Sequence, residues 1–269
     1  MLIKDKIAVV TGASGGLGMA ISKTLAEHGA RIVAMDMNAE KVAQACAELE
    51  KSGAKGVVGI VADVSSAESV ADAFAALKAK TGKLDILVNN AGVREIKNAL
   101  DLEPAEWDRV IATNLSGPFY CTREAGRMMR DAGAGGTIVN IASVAGLTAI
   151  SHRPAYSAAK HGLVGLTKNL ARDLAPFKIR VNAVAPGLVR TPLTESYFQD
   201  ESFFQGLREN VPFFDRGGGR DVANAVLYLV SPLADFVNGI TLPVDGGWLA
   251  EKGYASSGAK NFYDAKRST

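Results

Sequence analysis

Cysteine is nearly missing from this 269-residue chain, with only Cys46 and Cys121 present. Cys46 falls in the helical pattern QACAEL and Cys121 in FYCTREA. A disulfide framework is not indicated, and two isolated thiols on helices read as packed side chains. Histidine is scarce too, at three residues, and no paired Cys or His spacing marks a metal site. Charge of one sign is also lacking. Thirty Lys and Arg face 28 Asp and Glu, a formal net charge of +2, with no block of like charge. Neither nucleic acid nor a membrane surface is therefore an expected partner. No stretch reaches the roughly 18 apolar residues of a membrane helix, and the apolar run in MLIKDKIAVVTG is too short for a signal peptide. The expected location is cytoplasmic. What remains is an ordinary globular balance, 48% hydrophobic and 22% charged, which suffices for a large buried core.

Short β-branched runs alternate with longer amphipathic stretches. Strands are expected at 6–11, 31–35, 57–62, 84–88, 137–141, 180–184 and 240–244. Helical periodicity fills 17–28, which stops at Gly29, and a stretch from the cap Asn38 to about 51, which stops at Gly53. Ser66 caps a helix toward 80. The pattern over 103–130 is helical, with a bend expected near Gly117-Pro118. Further helices are expected at 154–175 and 221–230, with short ones in 192–210. Strands that are apolar throughout and separated by helices imply a parallel sheet covered on both faces. The expected architecture is α/β: one domain, a Rossmann-like doubly wound sheet of seven strands, with helices on both faces. That domain spans 1–247, and 248–269 reads as a C-terminal tail rich in Gly, Ser, Ala and Lys.

The first turn reads Thr11-Gly12-Ala13-Ser14-Gly15-Gly16-Leu17-Gly18. It follows a strand and opens a helix. Glycines there let backbone approach a pyrophosphate, and the helix N-terminus attracts its charge. Position after the first strand is what makes a dinucleotide, rather than a bare tight turn, the better reading. Asp36 ends the second strand. A carboxylate at that point can accept both adenosine ribose hydroxyls and repels a 2′-phosphate, so NAD is the expected cofactor rather than NADP.

The glycine spacing Gly12, Gly16, Gly18 differs from the usual dinucleotide fingerprint and resembles that of the short-chain dehydrogenase/reductase family, in its NAD-dependent type. The resemblance runs from about Lys4 to Gly247, with the motifs in family order. It implies that Gly12, Ser14, Gly16, Leu17, Gly18 and Asp36 hold the cofactor. Asp63-Val64 would contact the adenine, and Asn89-Asn90-Ala91-Gly92 would steady the sheet and line the cleft. Pro186, Gly187, Val189 and Thr191 would hold the nicotinamide carboxamide. Asp245-Gly246-Gly247 resembles the family's C-terminal mark. The catalytic set implied is Asn114, Ser143, Tyr156 and Lys160, with no metal. Family members are commonly homotetramers, which is the assembly the resemblance implies.

Tyr156 and Lys160 are four residues apart on an expected helix, so they share a face. A tyrosine with a pKa of about 10 is a poor base near neutrality, and a nearby ammonium is expected to lower it. Tyr156 would then take the alcohol proton as hydride leaves for NAD. The resemblance further implies that Lys160 holds the nicotinamide ribose, that Ser143 hydrogen-bonds the substrate oxygen, and that the Asn114 backbone anchors a water linking Lys160 to solvent. The loops beyond the strand ends, 93–98, 144–154 and 192–214, carry Arg94, Glu95, Lys97, His152 and Arg153. That polar set suggests a small hydrophilic substrate such as a sugar, polyol or hydroxy acid, although a solvated rim would look the same. Phe198, Phe203, Phe204, Phe213 and Phe214 either cover the substrate or simply pack. Two other functions remain open. One is a 3-oxoacyl thioester reductase of the same family. The other is a non-catalytic NAD-binding regulator on this fold.

Overall fold

The computed structural model describes residues 1–191, 194–214 and 217–250. Seven parallel strands form one sheet in the order β3-β2-β1-β4-β5-β6-β7. They are β1 Ile7–Thr11, β2 Arg31–Asp36, β3 Val58–Val61, β4 Ile86–Asn89, β5 Gly136–Ile141, β6 Ile179–Pro186 and β7 Thr241–Val244. Helices α1 (Gly16–Glu27), α2 (Ala39–Lys51) and α9 (Gly219–Val230) cover one face. Helices α3 (Ala67–Thr81), α5 (Gly117–Ala132) and α6 (Pro154–Asp173) cover the other.

The two-sided burial follows from strand alternation. In β1, Ala8 and Val10 pack with Ile21, Leu25 and Val226, while Ile7 and Val9 pack with Phe74, Leu77 and Met129. Both faces of a central strand are dry, so its sequence is apolar throughout. The expected seven-stranded, doubly wound α/β sheet is the observed one. Asn38 and Ser66 cap α2 and α3 as their positions indicated, accepting from the Lys41 and Ser69 amides. Two short helices, α7 (Glu195–Gln199) and α8 (Glu201–Asn210), fill the segment beyond β6.

One boundary differs from the sequence expectation. Helix α4 (Pro104–Ile111) leads into five residues of π-helix, Ala112–Ser116, before α5 starts. The irregularity therefore sits one turn ahead of Gly117-Pro118. Pro118 lies in the first turn of α5, where its missing N–H leaves no hydrogen bond unmade. The wide π turn instead surrounds Asn114, which is fully buried. After β7 the chain continues in hydrogen-bonded turns through residue 250, held by Asp245, whose carboxylate accepts from Gly247 and Leu249 amides. Of the expected tail, residues 251–269 lie outside the described residues.

Candidate active site

The sheet reverses direction of winding between β1 and β4, and the C-terminal ends of those strands open a crevice there. Gly12 stands at φ +63°, and a Cβ on it would meet the Ala91 backbone at 2.9 Å. A Cβ on Gly18 would collide with the Gly12 carbonyl oxygen. The turn closes only with hydrogen at both positions. Asn90 clasps it from β4, donating Nδ2 to the Thr11 and Gly12 carbonyls at 2.9 and 3.1 Å. Thr11 Oγ1 returns the contact, accepting from the Asn90 and Ala91 amides. Gly15 caps α1 without a side-chain hydrogen bond and has open space beside it, so the first amides of a 12-residue helix face outward. This cradle fits a pyrophosphate.

Asp36 ends β2 next to that turn. Its Oδ2 accepts from the Ser14 hydroxyl and amide, and its Oδ1 accepts from the Met37 amide. No ion pair reaches Asp36 among the described residues. Leu17 lies in the first turn of α1 and packs against the core. Asp63 and Val64 follow β3, with Asp63 Oδ1 bonded to Ser65 and Val64 buried. Gly92 follows Ala91 and lies against the Asn114 side chain. Across the crevice, Pro186 and Gly187 end β6, Val189 is buried, and Thr191 lies over Gly16.

Further along, β5 delivers Ser143 and α6 delivers Tyr156 and Lys160. Ser143 is buried, and its Oγ accepts from the Ala145 amide. Lys160 Nζ is buried, donates to the Ile141 carbonyl at 2.7 Å and stands 5.6 Å from the centre of the Tyr156 ring. Burial pushes the Lys160 ammonium down to about 8. Burial also pushes the Tyr156 phenol up, opposed by the Ser143 hydrogen bond and the charges of Arg153 and Arg94, with Glu95 adding to the rise. The expected lowering of Tyr156 by a neighbouring ammonium is corrected here. Desolvation outweighs it, and the cations that favour the phenolate are the two arginines.

Asn114 uses its whole side chain on the loop after β4, accepting from Val93 N–H at 2.8 Å and donating to Val93 C=O at 2.7 Å. A buried chain of amides and hydroxyls supports the same region. Asn89 donates to Asn140 and Thr122, and Asn140 donates to Thr167.

The polar residues beyond the strands separate into two groups. Arg94 and Arg153 meet at Tyr197 of α7. The Arg94 guanidinium lies over the Tyr197 ring at 5.1 Å, and Arg153 Nη2 donates to the Tyr197 hydroxyl at 2.9 Å. Glu95, expected at the substrate, is instead only 6% exposed and accepts from the Tyr156 amide at 2.9 Å in the first turn of α6. Helix amides without an internal partner draw a carboxylate inward. His152 is exposed, with φ +59° and its carbonyl bonded to the Lys97 amide, and Lys97 pairs with Glu106. Tyr197 was missed in the sequence, where nothing distinguishes it from the phenylalanines around it. Those phenylalanines make contacts of several kinds, with Phe203 and Phe213 still more than a third exposed. Phe203 stacks on Tyr197 at 4.9 Å, Phe204 meets Phe214 edge-on, and Phe198 and Phe213 line an apolar cavity of about 230 Å³.

A family model described as enoyl-(acyl carrier protein) reductase matches residues 12–249. The chain is 39% identical over 247 residues to a 3-oxoacyl-(acyl-carrier-protein) reductase of Escherichia coli strain K12, covering 92% of this chain and 98% of that one. A 4-hydroxyisoleucine dehydrogenase solved in complex with NADH is 35% identical, with a TM-score of 0.86 and coverage of 92% and 100%. A structure from Agrobacterium tumefaciens with bound NADP is also 35% identical, with a TM-score of 0.83 and coverage of 93% and 98%. The glycine cradle at the switch point, the Ser143-Tyr156-Lys160 cluster and these matches lead to one assignment. The chain belongs to the short-chain dehydrogenase/reductase family, oxidoreductases that act on alcohol and ketone groups with a nicotinamide cofactor.

Proposed function

We propose that this protein is a cytoplasmic, homotetrameric, NAD-dependent dehydrogenase of a small polar secondary alcohol, such as a sugar, polyol or hydroxy acid. Its cofactor-binding and catalytic unit is 1–247, and its tail is 248–269. The observation that carries this reading is the convergence of buried Ser143, Tyr156 and the buried Lys160 amine, 5.6 Å from the centre of the Tyr156 ring, at the same sheet edge as the glycine cradle.

The cofactor, when bound, takes up the hydride that leaves the carbinol carbon. The chain does the rest. Gly12, Ser14, Gly16, Leu17 and Gly18 receive the pyrophosphate side, Asp63 and Val64 the adenine, and Pro186, Gly187, Val189 and Thr191 the nicotinamide end. Asn90, Ala91 and Gly92 form the cleft floor. Ser143 donates to the substrate oxygen, and Tyr156 takes its proton in oxidation and returns it in reduction. Lys160 would hold the ribose beside the phenol, and the charges of Arg153 and Arg94 favour the phenol's ionised form. Asn114 holds the loop that shapes this wall, and its backbone supports a water on the way from Lys160 to solvent. Asp36 is oriented by Ser14 and Met37, and its carboxylate would accept the adenosine ribose hydroxyls. A 2′-phosphate there would face a carboxylate with no cation paired to it among the described residues.

The 3-oxoacyl thioester reductase reading is favoured by the name of the Escherichia coli relative. Cofactor preference separates the two. Wild-type protein is expected to reduce NAD far faster than NADP across a panel of sugars, polyols and hydroxy acids, and Asp36→Ala is expected to narrow that ratio. Tyr156→Phe should lower kcat/KM by about 100- to 10,000-fold while NADH still binds. Strong NADPH preference with turnover confined to acyl thioesters would install the reductase reading instead.

A further inference from the structure

Two guanidinium groups converge on one tyrosine at the substrate end of the cleft. Arg94 comes two residues after Gly92, in the loop that follows β4. Arg153 immediately precedes α6, one turn ahead of Tyr156. Tyr197 orients both, one through its ring face and the other through its hydroxyl, and is itself held by Phe203 stacked at 23°. Arg153 forms no ion pair among the described residues. Both cations act on the Tyr156 phenol across the space between them. Glu95 is the acid nearest in sequence and also bears on that phenol, and one of its oxygens is already committed to the Tyr156 amide. Arg153 therefore brings to this corner a positive charge that no ion pair among the described residues matches. An uncharged polyol would bring nothing to match it, whereas a carboxylate meets a guanidinium in a two-point, charge-assisted contact.

We propose that Arg94 and Arg153, aligned by Tyr197, bind the carboxylate of a short hydroxy acid whose carbinol carbon reacts beside Tyr156. The inference rests on the dehydrogenase reading above and narrows its substrate class. In the oxidation, the carbinol C–H and O–H bonds break. The hydride carries two electrons to NAD, the proton passes to Tyr156, a C=O bond forms, and the carboxylate leaves unchanged as part of an oxo acid. Tyr197 is a positioning residue, since it acts through the two arginines.

The test compares short hydroxy acids (lactate, glycerate and 3-hydroxybutyrate) with their methyl esters and with glycerol and threitol, followed by NADH formation. The best acid is expected to exceed its own ester by about 100-fold in kcat/KM, the usual scale for a charge-assisted pair lost from a partly dry site. Arg153→Gln should remove most of that ratio, chiefly through KM, and Arg153→Lys should restore part of it. Tyr197→Phe removes the hydroxyl that orients Arg153 and should shrink the acid-to-ester ratio with little change in kcat. Equal losses on acid and ester in Arg153→Gln would make Arg153 a latch for α7 and overturn the proposal. Turnover of polyols with NAD but of no acid would also overturn it, while leaving the dehydrogenase reading intact. If no compound reduces NAD, that broader reading fails. Calorimetric titration of the three acids into NAD-loaded protein then decides separately. Binding that Arg153→Gln abolishes upholds the carboxylate site, and no binding ends it.

Discussion

At the residue scale, the site runs on buried groups whose ionisation the fold has shifted. Lys160 has an ordinary value of 10.5 when exposed, and burial brings it to about 8. The sign of the consequence follows from proton counts. Below 8 both folded and unfolded chains hold the proton, and the native state carries the full cost of a buried ammonium. Between 8 and 10.5 the unfolded chain binds more protons than the native one, so stability rises with pH. Tyr156 acts in the opposite sense, but only above its ordinary value of 10, where the unfolded phenol ionises first. Lys160→Met has no ammonium to bury. The stability of wild type relative to Lys160→Met, from urea unfolding of cofactor-free protein, should therefore rise by about 1–2 kcal/mol between about pH 7.5 and 9.5. A difference that stays flat would mean Lys160 keeps its proton through that range. The same shift explains how Lys160 can supply charge near neutrality and still yield a proton at mildly alkaline pH.

At the scale of elements, the glycine turn is the part most dependent on close approach. Adding one methyl at Gly18 drives it into the Gly12 carbonyl and presses on Asn90, whose amide clasps the turn. Gly18→Ala should lower the melting temperature and weaken NAD binding at least ten-fold, read by fluorescence titration, because either α1 or the turn must shift. Gly206→Ala, on α8, serves as the control, since nothing lies within 4 Å of the added carbon. Much at this scale could be read from the sequence. The β-branched runs placed all seven strands, Asn38 and Ser66 announced their helices, and the glycine turn and Asp36 fell where a strand end required them. What could not be read depends on partners distant along the chain. The π turn at Ala112–Ser116 exists because Asn114 reaches back to Val93, a pairing invisible in local periodicity. Glu95, expected at the substrate, instead serves the bare first turn of α6, which lies beside it. Lys160 meets a backbone carbonyl, Ile141, and backbone carbonyls carry no sequence signal. Five small residues of α6, Ala155, Ala158, Ala159, Gly162 and Gly165, divide between two faces. Ala155, Ala159 and Gly162 admit the neighbouring helix, with Gly162 against Leu115, while Ala158 and Gly165 face outward.

At the scale of the whole molecule, the sheet has two open edges, β3 and β7, and they are unequal. Strand β7 carries Pro243, which has no N–H to offer, so extending the sheet strand upon strand is discouraged there. Yet the chain around β7 leaves large apolar side chains in the open. Phe236 is fully exposed, Leu233 is 67% exposed, and Tyr228 and Ile240 are each more than a third exposed. A concentration of this kind on one side of a monomer is costly in water unless something covers it. A second copy is the economical cover, since a two-fold contact applies the same patch twice. Side-chain packing, rather than sheet continuation, would then hold that interface. Light scattering should give wild-type protein four times the 28.2 kDa chain mass, and Leu233→Glu with Phe236→Glu should halve it. Four copies reduced to two would mean that this patch makes one of two distinct contacts, the other surviving on a different face. A wild-type monomer would contradict the tetramer outright. An intact tetramer in the double variant would move the contact away from β7, to the outward face of α6 where Ala158 and Gly165 leave room for a close neighbour.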